Sequence, residues 1–165
     1  MEKENGKSSL NKFIHTPWLC NGLDRAIFAV RLMVGCVFLS EGIQKFLFSE
    51  SLGVSRFIKI GIPVPEVMAP FVGVVEIVCG VLVLIGLITR LAAIPLIIDM
   101  LVAISTTKIP ILLEKGFWAM AHEARTDWSM ILGSLFLLIV GGGSWSLDGL
   151  IVKRGGERNQ EVNKT

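Results

Sequence analysis

The stretch APFVGVVEIVCGVLVLIGL, Ala69 to Leu87, carries no charged side chain other than Glu76. About 20 apolar residues suffice for a helix to cross the hydrocarbon of a bilayer. A carboxylate at the centre of such a helix costs roughly 2.5–3.5 kcal/mol on insertion scales, so it needs a partner and tends to mark a working site. The same pattern recurs on both sides. Leu23 to Ser40, continuing as helix to Phe46, holds Arg31; Leu91 to Thr107 holds Asp99. A fourth stretch runs from Asp127 to Gly141, and its Ser129–Val140 portion has no charge. The expected fold is an all-α membrane protein, a four-transmembrane-helix bundle, in which Thr89-Arg90 ties the second and third helices into a hairpin.

Composition agrees. The chain of 165 residues is 52% hydrophobic and 18% charged, with a net charge of +2. That balance gives no reason to expect nucleic acid; the bilayer is the expected partner. Residues 1–22 read as a polar N-terminal segment without the apolar core of a cleaved signal. Residues 23–150 read as the membrane domain, and 151–165 as a polar, unstructured tail. Cys20, Cys36 and Cys79 make no C-x-x-C pair, and His15 and His122 offer no metal-ligand spacing, so no metal site is expected.

Two connections are longer. Ser49 to Met68 contains an amphipathic patch (Phe57, Ile58, Ile60 beside Arg56 and Lys59) and the stiff turn Gly61-Ile62-Pro63-Val64-Pro65. Lys108 to Thr126 contains Pro110 and Phe117-Trp118. Both suit either the membrane surface or plain tethering loops. With the termini on one side, Lys3, Lys7, Lys12, Arg25, Arg90, Lys153, Arg154, Arg158 and Lys164 share that side. Lys45, Arg56, Lys59, Lys108, Lys115 and Arg125 face the other. The excess favours cytoplasmic termini.

At 1.5 Å per residue, Arg31, Glu76 and Asp99 lie about 12, 16 and 13 Å from the terminal side, and Ser134 falls near the same depth. This predicts one buried polar layer in which Arg31 pairs with Glu76 and Asp99 is a second acceptor. Arg31, Gly35, Phe38, Gly42 and Lys45 share one helix face, as do Gly73, Glu76 and Gly80; Gly133 adds a small residue in the fourth span. Such glycines let helices approach closely around a charge. Glu41 and Lys45 read as an i,i+4 interfacial pair, Arg90 as an interfacial charge, and Glu123 and Asp127 as acids opening the last span. The layer itself admits three readings: an ion pair that only fixes register, a ligand site such as one for a quinone head group, or a transport path.

The run Arg31-x3-Gly35-x2-Phe38-x3-Gly42-x2-Lys45, followed by Gly61-Ile62-Pro63-Val64-Pro65, Glu76-x3-Gly80, Leu84-Ile85-Gly86-Leu87-Ile88-Thr89-Arg90-Leu91-Ala92-Ala93 and Gly141-Gly142-Gly143-Ser144-Trp145-Ser146-Leu147-Asp148, resembles the DoxX family of small four-helix membrane proteins. The likeness covers about Leu23 to Leu150. It implies a place in the cytoplasmic membrane and contexts that differ among members: a thiosulfate:quinone oxidoreductase subunit, oxidative-stress complexes, quinone or catechol resistance. The family-like positions are Arg31, Gly35, Gly42, Lys45, Glu76, Gly80 and Arg90; Asp99 has no role implied by the likeness. Three functions stay open. One is a redox-associated subunit of a quinone-linked oxidoreductase, with quinone as the cofactor and a redox enzyme or second copy as partner. The others are a non-catalytic assembly or anchoring protein and a small-solute or proton-coupled carrier.

Overall fold

The computed structural model describes the backbone of residues 17–162 and the side chains of residues 22–154. Most of the N-terminal segment, with His15, Trp18 and Cys20, therefore lies outside the described side chains. Eight α-helices follow in order: α1 Pro17–Leu47, α2 Val54–Lys59, α3 Pro65–Ile85, α4 Thr89–Ala103, then, after the π-helical turn Ile104–Lys108, α5 Ile109–Lys115, α6 Phe117–Glu123, α7 Arg125–Val140 and α8 Leu147–Val162. No strand occurs among the described residues.

Three helical stretches are long and apolar enough to cross a membrane: Gly22–Leu47, Pro65–Ile85 and Thr89–Lys115. The fourth helix of the bundle, α7, has 16 residues. That is about 24 Å of helix, short of the ~30 Å hydrocarbon on its own. The bundle is antiparallel, with α1 and α4 running away from the end that holds α8, and α3 and α7 running back towards it. That end is called proximal below and the other distal. Its dry core is built from Ile27, Val34, Phe38, Val83, Leu96 and Leu137, among others. Exposed apolar side chains such as Leu32, Val74, Ile94 and Leu132 cover the outside, as a lipid-facing surface requires.

Helix ends follow local chemistry. Pro65 starts α3 at a position whose amide is not needed, with Glu66 in the first turn. Gly86, at φ 72, ends α3 in a Schellman-type turn: its amide donates to Leu82 and Val83 oxygens, and the Leu87 amide to Leu82. The long third stretch continues further than its composition suggests. Ser105, Thr106 and Thr107 each donate a hydroxyl back to the carbonyl four residues earlier. Pro110 follows, with no amide to give. Both disturb the regular ladder, and the chain answers with a π turn instead of stopping. Much of the segment expected as a loop, Lys108 to Thr126, is therefore helical. The last helix likewise runs through the stretch expected to be unstructured.

The tightest packing joins α1 and α3. A Cβ on Gly80 would meet the Leu39 amide nitrogen at 2.9 Å and the Gly35 oxygen at 3.1 Å; one on Gly42 would meet the Gly73 oxygen at 2.7 Å. Gly133 lets α7 approach Val34 in the same way, at 2.6 Å. Because backbone atoms cannot swing aside, Gly80→Ala is expected to lower stability by about 1–3 kcal/mol. Gly22→Ala, with nothing within 4 Å, is expected to be neutral. Thermal unfolding of both variants in the same detergent checks this.

Candidate functional site

Arg31 and Glu76 are both buried, each 1% exposed, yet they do not pair. Arg31 donates Nε to the Val83 oxygen at 2.9 Å and Nη2 to the Leu84 oxygen at 2.5 Å. Its Nη1 donates to the Gly142 oxygen at 3.1 Å and the Trp145 oxygen at 2.7 Å. The guanidinium thus closes the C-terminal end of α3 and the turn after α7, where unpaired carbonyls concentrate partial negative charge. Asp148 lies near it. The depth estimate placed Arg31 opposite Glu76 because it took the wrong register for α3: the glycine contacts set Gly80 between Gly35 and Leu39 and Gly73 beside Gly42 and Phe46, so Glu76 stands level with the Gly42 turn, well distal to Arg31. Helical side chains lean towards the N-terminus of their own helix. Arg31 on α1 therefore leans proximally, Glu76 on the antiparallel α3 leans distally, and their heads diverge.

The same lean brings Lys45, two heptads beyond Arg31, back towards Glu76. Lys45 Nζ donates to Glu76 Oε1 at 2.8 Å and Oε2 at 2.6 Å. The expected Glu41–Lys45 pair is replaced by this buried bridge, and Glu41 faces the same cavity. Asp99 comes close enough to Glu76 and Lys45 to interact with both. Gly42 makes room for the pair: a Cβ there would stand 3.0 Å from Glu76 Cβ.

Lys45, Glu76 and Asp99 form the polar part of a distal cavity of about 600 Å³. Its walls are mostly apolar, with Phe38, Phe57, Val75, Ile98 and Met130 among them. Glu41, Thr106, Thr107 and Glu123 add polar groups, and Lys108 reaches Asp127 at 3.2 Å. The cavity lies between the four main helices under α2, whose Phe57 is buried. The π turn is what places Thr106, Thr107 and Lys108 on its wall.

The remaining predicted residues lie elsewhere. Ser134 is fully buried with a hydroxyl that has no partner, and it is not among the cavity residues. Arg90 donates Nη2 to the Ile139 oxygen at 3.0 Å, near the end of α7. Glu123 closes α6, and Asp127 stands in the first turn of α7. Cys36 faces outward and Cys79 is buried, both as free thiols. Asp148 closes the family-like glycine-rich run, which by itself implies no partner for it. It accepts from the Ile88 amide at 2.8 Å, the Thr89 amide at 3.1 Å and the Thr89 hydroxyl at 3.2 Å, capping α4 from a distant part of the chain. Ile88, at φ 44, is held in a conformation unusual for a β-branched residue. No group of three or more His, Cys, Asp or Glu suited to a metal ion occurs among the described residues.

Comparison with known proteins adds the following. The pattern of the DoxX family matches residues 26–109. The chain is 56% identical to the "Uncharacterized membrane protein Rv3486" of Mycobacterium tuberculosis over 135 residues, 78% of this chain and 83% of that protein. It is 30% identical to the "Putative oxidoreductase CatD" of Bacillus subtilis over 134 residues, 81% of this chain and 91% of that one. No solved structure matches.

Arg31 and the distal cavity separate experimentally. Hydrogen bonds to a charged group are worth about 1.5–3 kcal/mol each. Arg31→Leu is expected to lose most folded protein in detergent. Arg31→Lys, with three donors for four carbonyls, should recover part of it, as read by thermal unfolding and size-exclusion yield.

Proposed function

The chain belongs to the DoxX family of membrane proteins, and from that premise we propose that it is a redox-associated membrane subunit whose distal cavity binds a quinone-type ring. The observation that carries this reading is the buried Lys45–Glu76 pair, joined by Asp99, in a largely apolar cavity of about 600 Å³. A relative that covers most of the chain bears an oxidoreductase name, which is consistent with a redox setting.

The chemistry suits such a ligand. An ammonium has three donors. Glu76 takes two of the Lys45 contacts, which leaves donor capacity for a carbonyl oxygen. A quinone, when bound, supplies a two-electron, two-proton couple. Asp99, the less buried carboxyl and outside the direct bridge, is the group best placed to accept or deliver a proton. Phe38, Val75 and Ile98 exclude water around a ring. Electrons come from or pass to a partner enzyme.

Arg31, with four of its five donors committed to backbone carbonyls, is assigned to holding the bundle and not to the ligand. Below Glu76 the proximal half is filled by Val34, Val83, Leu96 and Leu137, all 0% exposed. That floor suits binding and release on one side better than a through-path for a carrier. The count of Lys and Arg along the sequence, with both termini on one side, favours a cytoplasmic position for the terminal side.

The test is a titration of the protein in nanodiscs with a short-tailed benzoquinone or naphthoquinone, followed by difference absorbance. Saturable binding is expected, weakened about tenfold or more by Asp99→Asn. A Lys45→Met variant alone leaves a buried carboxylate unpaired, at about 3–5 kcal/mol. The Lys45→Met/Glu76→Gln double variant therefore serves as the folded comparison, and it too should bind poorly. Absence of saturable binding, or full binding by the folded double variant, overturns the reading.

A further inference from the structure

We propose that the distal cavity is loaded sideways from the bilayer, through a gap between α3 and α4, and that its ligand is a tailed amphiphile with a neutral, hydrogen-bonding head. The inference rests on the cavity being a binding site, but not on the ligand being a quinone.

The proximal ends of the two helices are firmly fastened. There the short Gly86–Ile88 turn joins them, Arg31 and Asp148 fasten that turn, and Cys79, Val83, Ala92 and Leu96 pack in one core. Over their full lengths each helix packs most extensively on a different neighbour, α3 on α1 and α4 on α7. Pro95, on the cavity wall in α4, removes one ladder hydrogen bond. Beyond it the cavity stands between them.

Three residues mark the edges of the gap. Phe71 on α3 and Ile98 and Val102 on α4 line the cavity, yet are 58%, 56% and 44% exposed. All are apolar, and all lie in stretches suited to crossing a membrane, so what meets them is hydrocarbon. The aqueous direction is guarded differently. Helix α2 covers it with Phe57 buried beneath, and the Lys108–Asp127 pair spans α7 and the π turn at 3.2 Å. A tail can therefore rest between Phe71 and Ile98 while a head reaches Lys45 and Asp99.

Charge defines the head. Five carboxylic acids and three basic side chains line the cavity. An anionic head such as a phosphate would have to compete with Glu76 for the single Lys45 ammonium, whereas a carbonyl or hydroxyl can use the remaining Lys45 donor and the neighbouring Asp99 carboxyl.

Photolabelling tests the route. The protein in nanodiscs is irradiated with a long-chain alkanol carrying a mid-chain diazirine, and separately with a short, water-soluble diazirine alcohol. Adducts are mapped by mass spectrometry. The long-chain probe is expected to label Met130 and Asp99 inside the cavity as well as the outward Ile94 and Leu101. Ile98→Trp should reduce the cavity adducts at least fivefold and leave the outward ones unchanged, which also shows that the variant is folded. Val102→Trp, one turn away, should act in the same direction.

Cavity adducts from the short probe that match or exceed those of the long one, or long-chain adducts undiminished in both variants, overturn the proposal. So does outward labelling without any adduct in the cavity. The outcome is separable from the quinone titration: sideways labelling without quinone binding leaves the gap and rejects the quinone. Quinone binding without sideways labelling means that the site is fed from water.

Discussion

Four hydrogen bonds from one guanidinium hold the proximal end of this bundle together. Arg31 takes carbonyls from the last turn of α3 and from the turn after α7, so a single side chain of α1 ties three segments that are distant in sequence. A charge inside a membrane helix is tolerable because these carbonyls replace its water. They are also the groups that a helix end leaves unpaired, so one contact answers two needs. The sign is repeated nearby. Arg90 meets a carbonyl near the end of α7, while Asp148 caps the start of α4 and Asp24 takes the Ser144 amide at 3.0 Å. Cations stand at helix C-termini and anions at N-termini, as the helix dipole favours.

Because closure is handled proximally, the distal half need not be closed. Glycine contacts run along the α1–α3 seam from Gly35 to Gly73 and keep that pair together at both ends. The α3–α4 pair has no such seam distally, and a cavity opens there. The Lys45–Glu76 bridge sits where the seam and the cavity meet. A buried bridge of this kind adds little net stability, since desolvation offsets most of the attraction. Its placement at the floor of a cavity, in place of a hydrophobic pair that would pack at least as well, is the physical argument for a functional role.

The bundle, its hairpin and the glycine faces were legible in the sequence because they depend on periodicity and length alone. The partners of the buried charges were not. Depth from the membrane edge, counted along Cα atoms, put Arg31, Glu76 and Asp99 in one layer. The register of α1 against α3 splits them: Arg31 stands beside the C-terminal end of α3, while Glu76 stands beside Gly42, one turn before Lys45. The signal for that register lay in the small-residue faces, since antiparallel packing of Gly35 and Gly42 against Gly80 and Gly73 sets Glu76 beside Gly42 and away from Arg31. The π turn also had a signal, in Ser105-Thr106-Thr107 followed by Pro110, but a proline after a polar triplet reads more simply as a helix end. Asp148 stood at the end of the family-like run, but its partners, Ile88 and Thr89, are 60 and 59 residues away, and only the folded chain brings them together.

This division of labour bears on how one small bundle can serve different settings. The proximal clamp uses backbone carbonyls as partners, so it constrains the fold with little dependence on the side chains around it. The distal cavity is bounded by side chains from α1, α2, α3, α4, the π turn and α7, and a change at Thr106, Asp99 or Ile98 would alter what it accepts without touching Arg31. Fold and ligand choice are thus carried by opposite ends of the same helices. A relative could keep the clamp and the glycine seam and still hold a different molecule, which is why membership of the family fixes the architecture and leaves the ligand to be read from the cavity.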